Sequence, residues 1–456
     1  MKPIEELARD LRSGAVTSRM LIEAALERID DSSGEGSRTF MTVWRERARA
    51  MADHVDRCEL WRTTPSPLCG IPLSVKDVFD IGGEITRAGS RARESATPAS
   101  ADALSVQRLR SAGAILLGRT TMSEFAFSGI GLNRHYGTPT NPWDRETGRI
   151  AGGSSSGSAI SVADGMCAGA LATDTGGSIR TPAALCGLAG FKPTAARVPL
   201  QGVFPRSYSL DTAGPIAVTA RCCAVIDAAL SRCGPVVEVQ TRGYELSGLR
   251  FAVIEGEPVE RLSPEVAAAF SAALTLLSRG SARITSLAMP EIQSIRALNA
   301  KGGISPPEAY AIHRDLISSS PELIDPIFLA RLRKGGEMRA ADYIDALRSR
   351  QAIMEDARTR TRAFDAVLMP TCAIVAPPLS AVATAADFEA MSALVLRNCN
   401  LANFLDRPAL TIPIHREGDA PVGLMLMGER GSDEDLLEIG TIVEEALRRQ
   451  RGASLL

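Results

Sequence analysis

The stretch Ala168-Gly-Ala-Leu-Ala-Thr-Asp174-Thr-Gly-Gly-Ser178-Ile-Arg180-Thr-Pro182-Ala-Ala-Leu185 decides how this chain is read. Ala168 to Ala172 form an apolar run, two glycines follow at which the backbone turns freely, and Ala183-Ala-Leu185 are compatible with a helix. Strand, tight turn and helix in that order are the unit from which layered α/β folds are built. Upstream, Ile71, Leu73 and Val75 alternate with Pro72, Ser74 and Lys76, which reads as a strand carrying Lys76 to its end. A helix around 101–112 leads into a strand at Ala114-Ile-Leu-Leu117, so strand and helix alternate again.

Further out, Ile4, Leu7 and Leu11, then Met20, Leu21, Ala24, Ala25 and Ile29 recur at helical spacing. Two helices joined near Gly14 are expected over 4–29, with Thr17 or Ser18 as a cap. Toward the C-terminus the pattern predicts a strand over 249–254, a helix over 264–278, a strand ending at Met289-Pro290 and helices from about 307 to 360. Strands at 364–370, 410–413 and 422–427 precede an amphipathic helix at 434–448.

The chain has 456 residues, a length that large α/β enzymes can keep around one continuous sheet. One domain over 1–456 is expected: a helical segment to 65, a core over 66–220, a variable helix-rich part over 245–360, and strands and a helix over 361–456. The formal net charge of -2, with Lys and Arg interleaved among Asp and Glu, offers no basic field for a nucleic acid backbone. Lys2, Glu5, Glu6 and Arg9 interrupt the start of the chain, and no later run approaches a membrane span. The expectation is a cytoplasmic protein without a membrane anchor. Nine cysteines lack any C-x-x-C pair and fit reduced, mostly buried thiols. Cys222-Cys223 is not a metal-ligand spacing, so no metal site is expected.

In the opening stretch, Thr175, Gly176 and Gly177 place bare N–H groups around one point just before Ser178, and the following helix adds positive potential. Acyl transfer needs that arrangement around its nucleophile, although an ordinary strand-to-helix turn with a capping serine has the same sequence character. A serine nucleophile needs a base. None of the four histidines, His54, His135, His313 and His415, sits in a context that suggests one. Lys76 can serve if burial disfavours its charge; otherwise it salt-bridges Asp77 or another carboxylate. The third piece, Gly152-Gly-Ser154-Ser155-Ser156-Gly-Ser158, has three readings. It satisfies G-x-S-x-G at Ser155, but without the strand that a nucleophile elbow requires. It could cradle a phosphate, but lacks G-K-[ST], or it is a plain glycine-serine turn.

Together the three pieces resemble the amidase signature family, whose hallmark is a G-[IV]-P-x-x-x-K-D segment, a glycine- and serine-rich block and then D-[TI]-G-G-S-[IV]-R. Here these are Gly70-Ile-Pro-Leu-Ser-Val-Lys76-Asp77, Gly152-Gly153-Ser154-Ser155 and Asp174-Thr-Gly-Gly-Ser178-Ile-Arg180. The interval from Ser154 to Ser178 is that of the family, and the likeness runs through Met122-Ser-Glu-Phe-Ala126, Phe191-Lys-Pro193 and Met369-Pro-Thr371. The resemblance implies an α/β fold with a large mixed central β-sheet covered by helices on both faces. It implies Ser178 as nucleophile, Ser154 as bridging residue on a cis peptide bond, and Lys76 as base. Thr173, Ser155, Asp174 and Arg180 match positions that support this network. The chain departs from the family at Ser156, where glycine is common, a change that requires a negative φ there.

The family spans amidases of fatty acid amides, peptides, malonamide and aryl acylamides, ureide hydrolases, and the glutaminase chain of glutamyl-tRNA amidotransferase. The resemblance favours a stand-alone amidase of a small amide substrate, with a homodimer among the expected states, and the lack of a metal-ligand spacing or a completed nucleotide loop predicts no cofactor. Alternatives are the amidotransferase chain, which needs a partner, and a ureide hydrolase of the allophanate or carboxybiuret type, which needs a basic pocket for a substrate carboxylate. A non-catalytic binding protein is the remote alternative. Arg331 and Asp433 fall roughly where the amidotransferase chain holds glutamine.

Overall fold

The computed structural model describes residues 1–58, 66–232 and 241–453. Eleven strands form one sheet: β1 (Phe40–Val43), β2 (Pro72–Lys76), β3 (Ile115–Thr120), β4 (Gly169–Asp174), β5 (Ala189–Lys192), β6 (Thr212–Ala217), β7 (Arg250–Ile254), β8 (Arg283–Leu287), β9 (Ala366–Pro370), β10 (Ala409–Pro413) and β11 (Gly423–Met427). Their order is β1-β3-β2-β4-β6-β5-β10-β11-β9-β7-β8. The sheet is mixed. β3, β2 and β4 run parallel at one end and β9, β7 and β8 at the other, joined by antiparallel pairs through β6, β5, β10 and β11.

Alternation along each strand feeds two apolar layers, one on each face. Ala170 and Ala172 pack with Ile160 and Val162 of the helix Ser156–Ala163, whereas Leu171 between them packs with Val225 and Ile226 of the helix Ala220–Ser231. In the other half, Val367 and Met369 join Ile353 and Phe404 on one face while Leu368 joins Phe270 and Leu277 on the other. Burying each of the Leu, Ile, Val, Phe and Met side chains among these contributes roughly 1.5–3 kcal/mol relative to exposure. Helices therefore cover both faces.

The N-terminal pair forms as its spacing predicts. Helices Ile4–Ser13 and Ser18–Asp30 are separated by Gly14 at φ +75°, and Thr17 accepts the Met20 N–H. Helix 434–448 appears as Asp433–Ala453, and the helical region after 307 as Ser305–Ser319, Pro326–Gly335 and Ala340–Thr361. None of the described cysteines forms a disulfide, and all but Cys58 are buried; Cys233 lies outside the described residues. Among the described residues no helix is long and apolar enough to cross a membrane.

Candidate active site

Lys76 ends β2, and Thr173 and Asp174 end its parallel neighbour β4. The carboxyl ends of adjacent parallel strands are where open α/β sheets leave a crevice. Lys76 Nζ lies 2.7 Å from Ser154 Oγ and 3.0 Å from Thr173 Oγ1, all three residues being buried. Burial disfavours the ammonium form and pulls Lys76 down to about 7, the field of Arg206 acting in the same sense and Asp174 and Asp211 opposing it. A large share of Lys76 is therefore neutral near pH 7. Asp77 does not hold it: that carboxylate pairs with Arg119 at 3.2 Å and accepts the Gly89 N–H at 2.8 Å.

Interlocked glycine turns deliver Ser154. The Gly153 N–H donates to the Gly129 carbonyl at 2.8 Å, the Ser123 N–H donates to the Ser154 carbonyl at 3.0 Å, and the Gly153–Ser154 peptide is cis. A Cβ on Gly153 would lie 2.5 Å from Gly131 N, and one on Gly131, at φ +91°, would lie 2.4 Å from the Gly152 carbonyl oxygen. Only glycine permits that approach. Ser155 follows a coil, not a strand, and stands at the N-cap of the helix Ser156–Ala163 with its hydroxyl 3.5 Å from the Thr173 carbonyl oxygen. The elbow geometry is thus missing. Ser156 opens that helix and is not among the residues of positive φ, so the side chain fits where the family commonly has glycine.

Ser178 stands in the turn between β4 and the helix Arg180–Leu185, wound around the Asp174 carboxylate. Asp174 accepts from Gly177 N (2.8 Å), Ile179 N (3.0 Å), Arg180 Nε (3.1 Å), Arg180 Nη2 (2.9 Å) and Asn403 Nδ2 (2.8 Å). Burial opposes its ionisation, but Arg180 and these hydrogen bonds outweigh burial and hold the carboxyl well below its usual range. Of the three expected donors, the Gly177 N–H is engaged by Asp174 in the free protein. Gly177 is glycine for a different reason: its φ is +131° and a Cβ would lie 2.6 Å from Cys399 Cβ. The N–H groups of Thr175, Gly176 and Ser178 make no hydrogen bond among the described residues, nor does the Ser178 hydroxyl.

A family of proteins described as Amidase matches residues 20–437. The chain belongs to the amidase family. It is 34% identical to a 1-carboxybiuret hydrolase subunit of Pseudomonas sp. (strain ADP), over 98% of each chain. It is 32% identical to a 2-amino-5-chloromuconic acid deaminase of Comamonas testosteroni, over 87% of this chain and 86% of that one. It superposes with a TM-score of 0.87 and 30% identity on a chain of a vestigial protein complex that bears on the origins of an s-triazine catabolic enzyme, covering 97% of this chain and 98% of that one. This amidase is accordingly a hydrolase of amide C–N bonds.

Beside these residues stands one with no local sequence signal, Asp211. It accepts the Thr175 hydroxyl at 2.6 Å and the N–H groups of Arg206 (2.8 Å) and Ser207 (3.0 Å), so it ties the loop before β6 to the turn that carries Ser178. The two substrate-binding expectations fare differently. Asp433 begins the last helix, accepts both the N–H and the hydroxyl of Thr194 (2.8 and 2.7 Å), and lies 3.8 Å from Arg197. Both of its oxygens are thus engaged within the protein. Arg331 donates to the Phe127 carbonyl at 2.7 Å, but its Nε and Nη2 already face Glu389 at 2.5 and 2.6 Å. Its carboxylate-binding edge is occupied.

Proposed function

We propose that this amidase cleaves a small carboxamide through an acyl-enzyme on Ser178, with Ser154 and Lys76 relaying protons. Neutral Lys76 accepts the Ser154 hydroxyl proton as Ser154 accepts that of Ser178, and Ser178 Oγ bonds to the substrate carbonyl carbon. The resulting oxyanion is met by the N–H groups of Thr175, Gly176 and Ser178, which lack protein partners among the described residues. Collapse breaks the C–N bond, and the departing nitrogen takes a proton from Ser154, replenished from Lys76. Water then attacks the acyl carbon, giving its proton to the same relay, and Ser178 leaves reprotonated. The observation that carries this reading is the 2.7 Å contact of Lys76 with Ser154, inside a setting that strips the lysine of its usual basicity. The link from Ser154 to Ser178 closes as substrate binds, since catalytic hydrogen bonds are often loose in free enzymes.

A fluorophosphonate probe tests it. The expected adduct sits on Ser178, disappears in Ser178→Ala and forms far more slowly in Lys76→Ala, with peptide mass spectrometry locating it. An adduct on Ser155, or undiminished labelling in Lys76→Ala, would overturn the relay. We further propose that the enzyme works in the cytoplasm, with a homodimer among its states, which fractionation of the source cells and sedimentation of the purified chain check.

A further inference from the structure

Arg331 illustrates what an arginine looks like when its carboxylate partner is internal. Arg206 is the opposite case. Its Nη1 donates to the Ala126 carbonyl at 2.8 Å, its guanidinium lies 4.7 Å from the Phe127 ring centroid, and its Nε is buried with no hydrogen-bond partner. Among the described residues no carboxylate forms an ion pair with it. Asp211 accepts Thr175 on one oxygen and the backbone N–H groups of Arg206 and Ser207 on the other. The Nε–Nη2 edge, the edge that grips carboxylates in two parallel bonds, is thus unpaired among the described residues.

The surroundings repeat the pattern. Arg93 donates through Nε to the Thr86 carbonyl at 2.8 Å, lies 4.0 Å from the Phe204 ring centroid and likewise pairs with no carboxylate among the described residues. His313 is 0% exposed, neither ring nitrogen has a hydrogen-bond partner, and its ring centroid lies 4.4 Å from Phe125 and 5.5 Å from Phe204. Burial, then the fields of Arg93 and Arg206, pull this imidazole down to about 3, so it stays uncharged. Two permanent positive charges and an orphaned imidazole stand among aromatic rings with no carboxylate paired to either charge. Such an arrangement is costly unless an anion enters.

The place is next to the chemistry. The backbone of Arg206 is pinned by Asp211, which also pins Thr175 of the Ser178 turn, and the Arg206 charge is among those felt by Lys76. Its side chain holds the turn at Ala126 and Phe127, which continues into the Ser128–Gly131 segment packed on Gly153.

We propose that Arg206 anchors a carboxylate of the substrate through its unpaired Nε–Nη2 edge while the scissile amide reaches Ser178, so that the substrates are small amides that also carry a carboxylate. This rests on the reading of Ser178, Ser154 and Lys76 as the reacting centre. Arg206, not Arg331, is the specificity-determining arginine.

The test titrates the purified chain with the monoamides of malonic, succinic and glutaric acid and with the matching diamides, which differ in bearing a carboxamide where the acid has its carboxylate. Binding is read as a rise in Tm and, in parallel, as slowed fluorophosphonate labelling of Ser178. At least one acid is expected to bind better than its diamide, with affinity about 10- to 100-fold weaker in Arg206→Gln and partly restored in Arg206→Lys. The inference is overturned if no acid binds the wild type better than its diamide, or if Arg206→Gln holds the acid as the wild type does. Should Arg206→Gln fail to fold, the wild-type comparison and Arg206→Lys decide. Acid binding with Ser178 unlabelled would sink the acyl-enzyme reading alone; labelling without acid binding would sink this one alone.

Discussion

Lys76 is fully buried, touches two hydroxyls and, among the described residues, faces no carboxylate at contact distance, so burial outweighs the fields of Asp174 and Asp211 that favour its charge. With its titration pulled down to about 7, kcat/KM should fall tenfold per pH unit below that value on a single protonation. A pH–rate profile checks this, and a limb near the ordinary lysine value would refute it. Asp174→Asn should be severe for another reason. It leaves the 0% exposed Arg180 without its carboxylate, a loss of roughly 3–5 kcal/mol in stability measured by denaturant unfolding. At this scale legibility follows locality. Lys76, Ser154 and Ser178 stand in short motifs whose resemblance can be recognised. The engagement of the Gly177 N–H by Asp174, the occupation of Arg331 by Glu389 and the unpaired edge of Arg206 depend on partners set by folding, and no pattern along the chain announces them.

Among the elements, β2 and β4 are the pair on which the site depends, since their parallel register brings Lys76 beside Thr173. The two glycine segments over them are rigid because backbone meets backbone. Gly131→Ala should therefore cost more than about 2 kcal/mol, the measure of an enforced backbone shift, and should suppress Ser178 labelling. Gly83, at φ +82° with nothing near its Cβ position, provides the control: Gly83→Ala should cost only about 1 kcal/mol and leave labelling intact. Strands with alternating, β-branched or continuously apolar character, such as β2, β7 and β11, are legible along the chain. β5 and β6 are not. Ala-Gly-Phe-Lys and Thr-Ala-Gly-Pro-Ile-Ala carry glycine and, at Pro215, a residue without an N–H, yet β6 lies between β4 and β5 in the sheet. Pairing with strands on both sides overrides their local preference.

Across the whole molecule, burial of ionisable groups sets how stability responds to pH. Lys76 and Lys192 are pulled down to about 7 and 8, so between those values and the ordinary 10.5 the unfolded chain binds more protons than the folded one. Stability therefore rises with pH through that window. His313, pulled down to about 3 from 6.5, acts in the same sense at lower pH. Asp227, pushed up to about 6 by burial, acts oppositely between its ordinary 3.8 and 6, because there the folded chain holds the extra proton. Burial also pushes the thiols of Cys69 and Cys222 up to about 12, so above their ordinary 9.0 the unfolded thiols ionise first and stability falls. The unfolding midpoint should climb from pH 7 and reach its maximum near about 8–9, where the lysine gain gives way to the thiol loss. Urea midpoints at half-unit intervals read this directly. Lys76→Met should raise the midpoint at pH 7 and flatten the climb, since it removes a group the folded state prefers uncharged; a climb unchanged in that variant would mean that Lys76 is not the depressed base on which the catalytic reading depends.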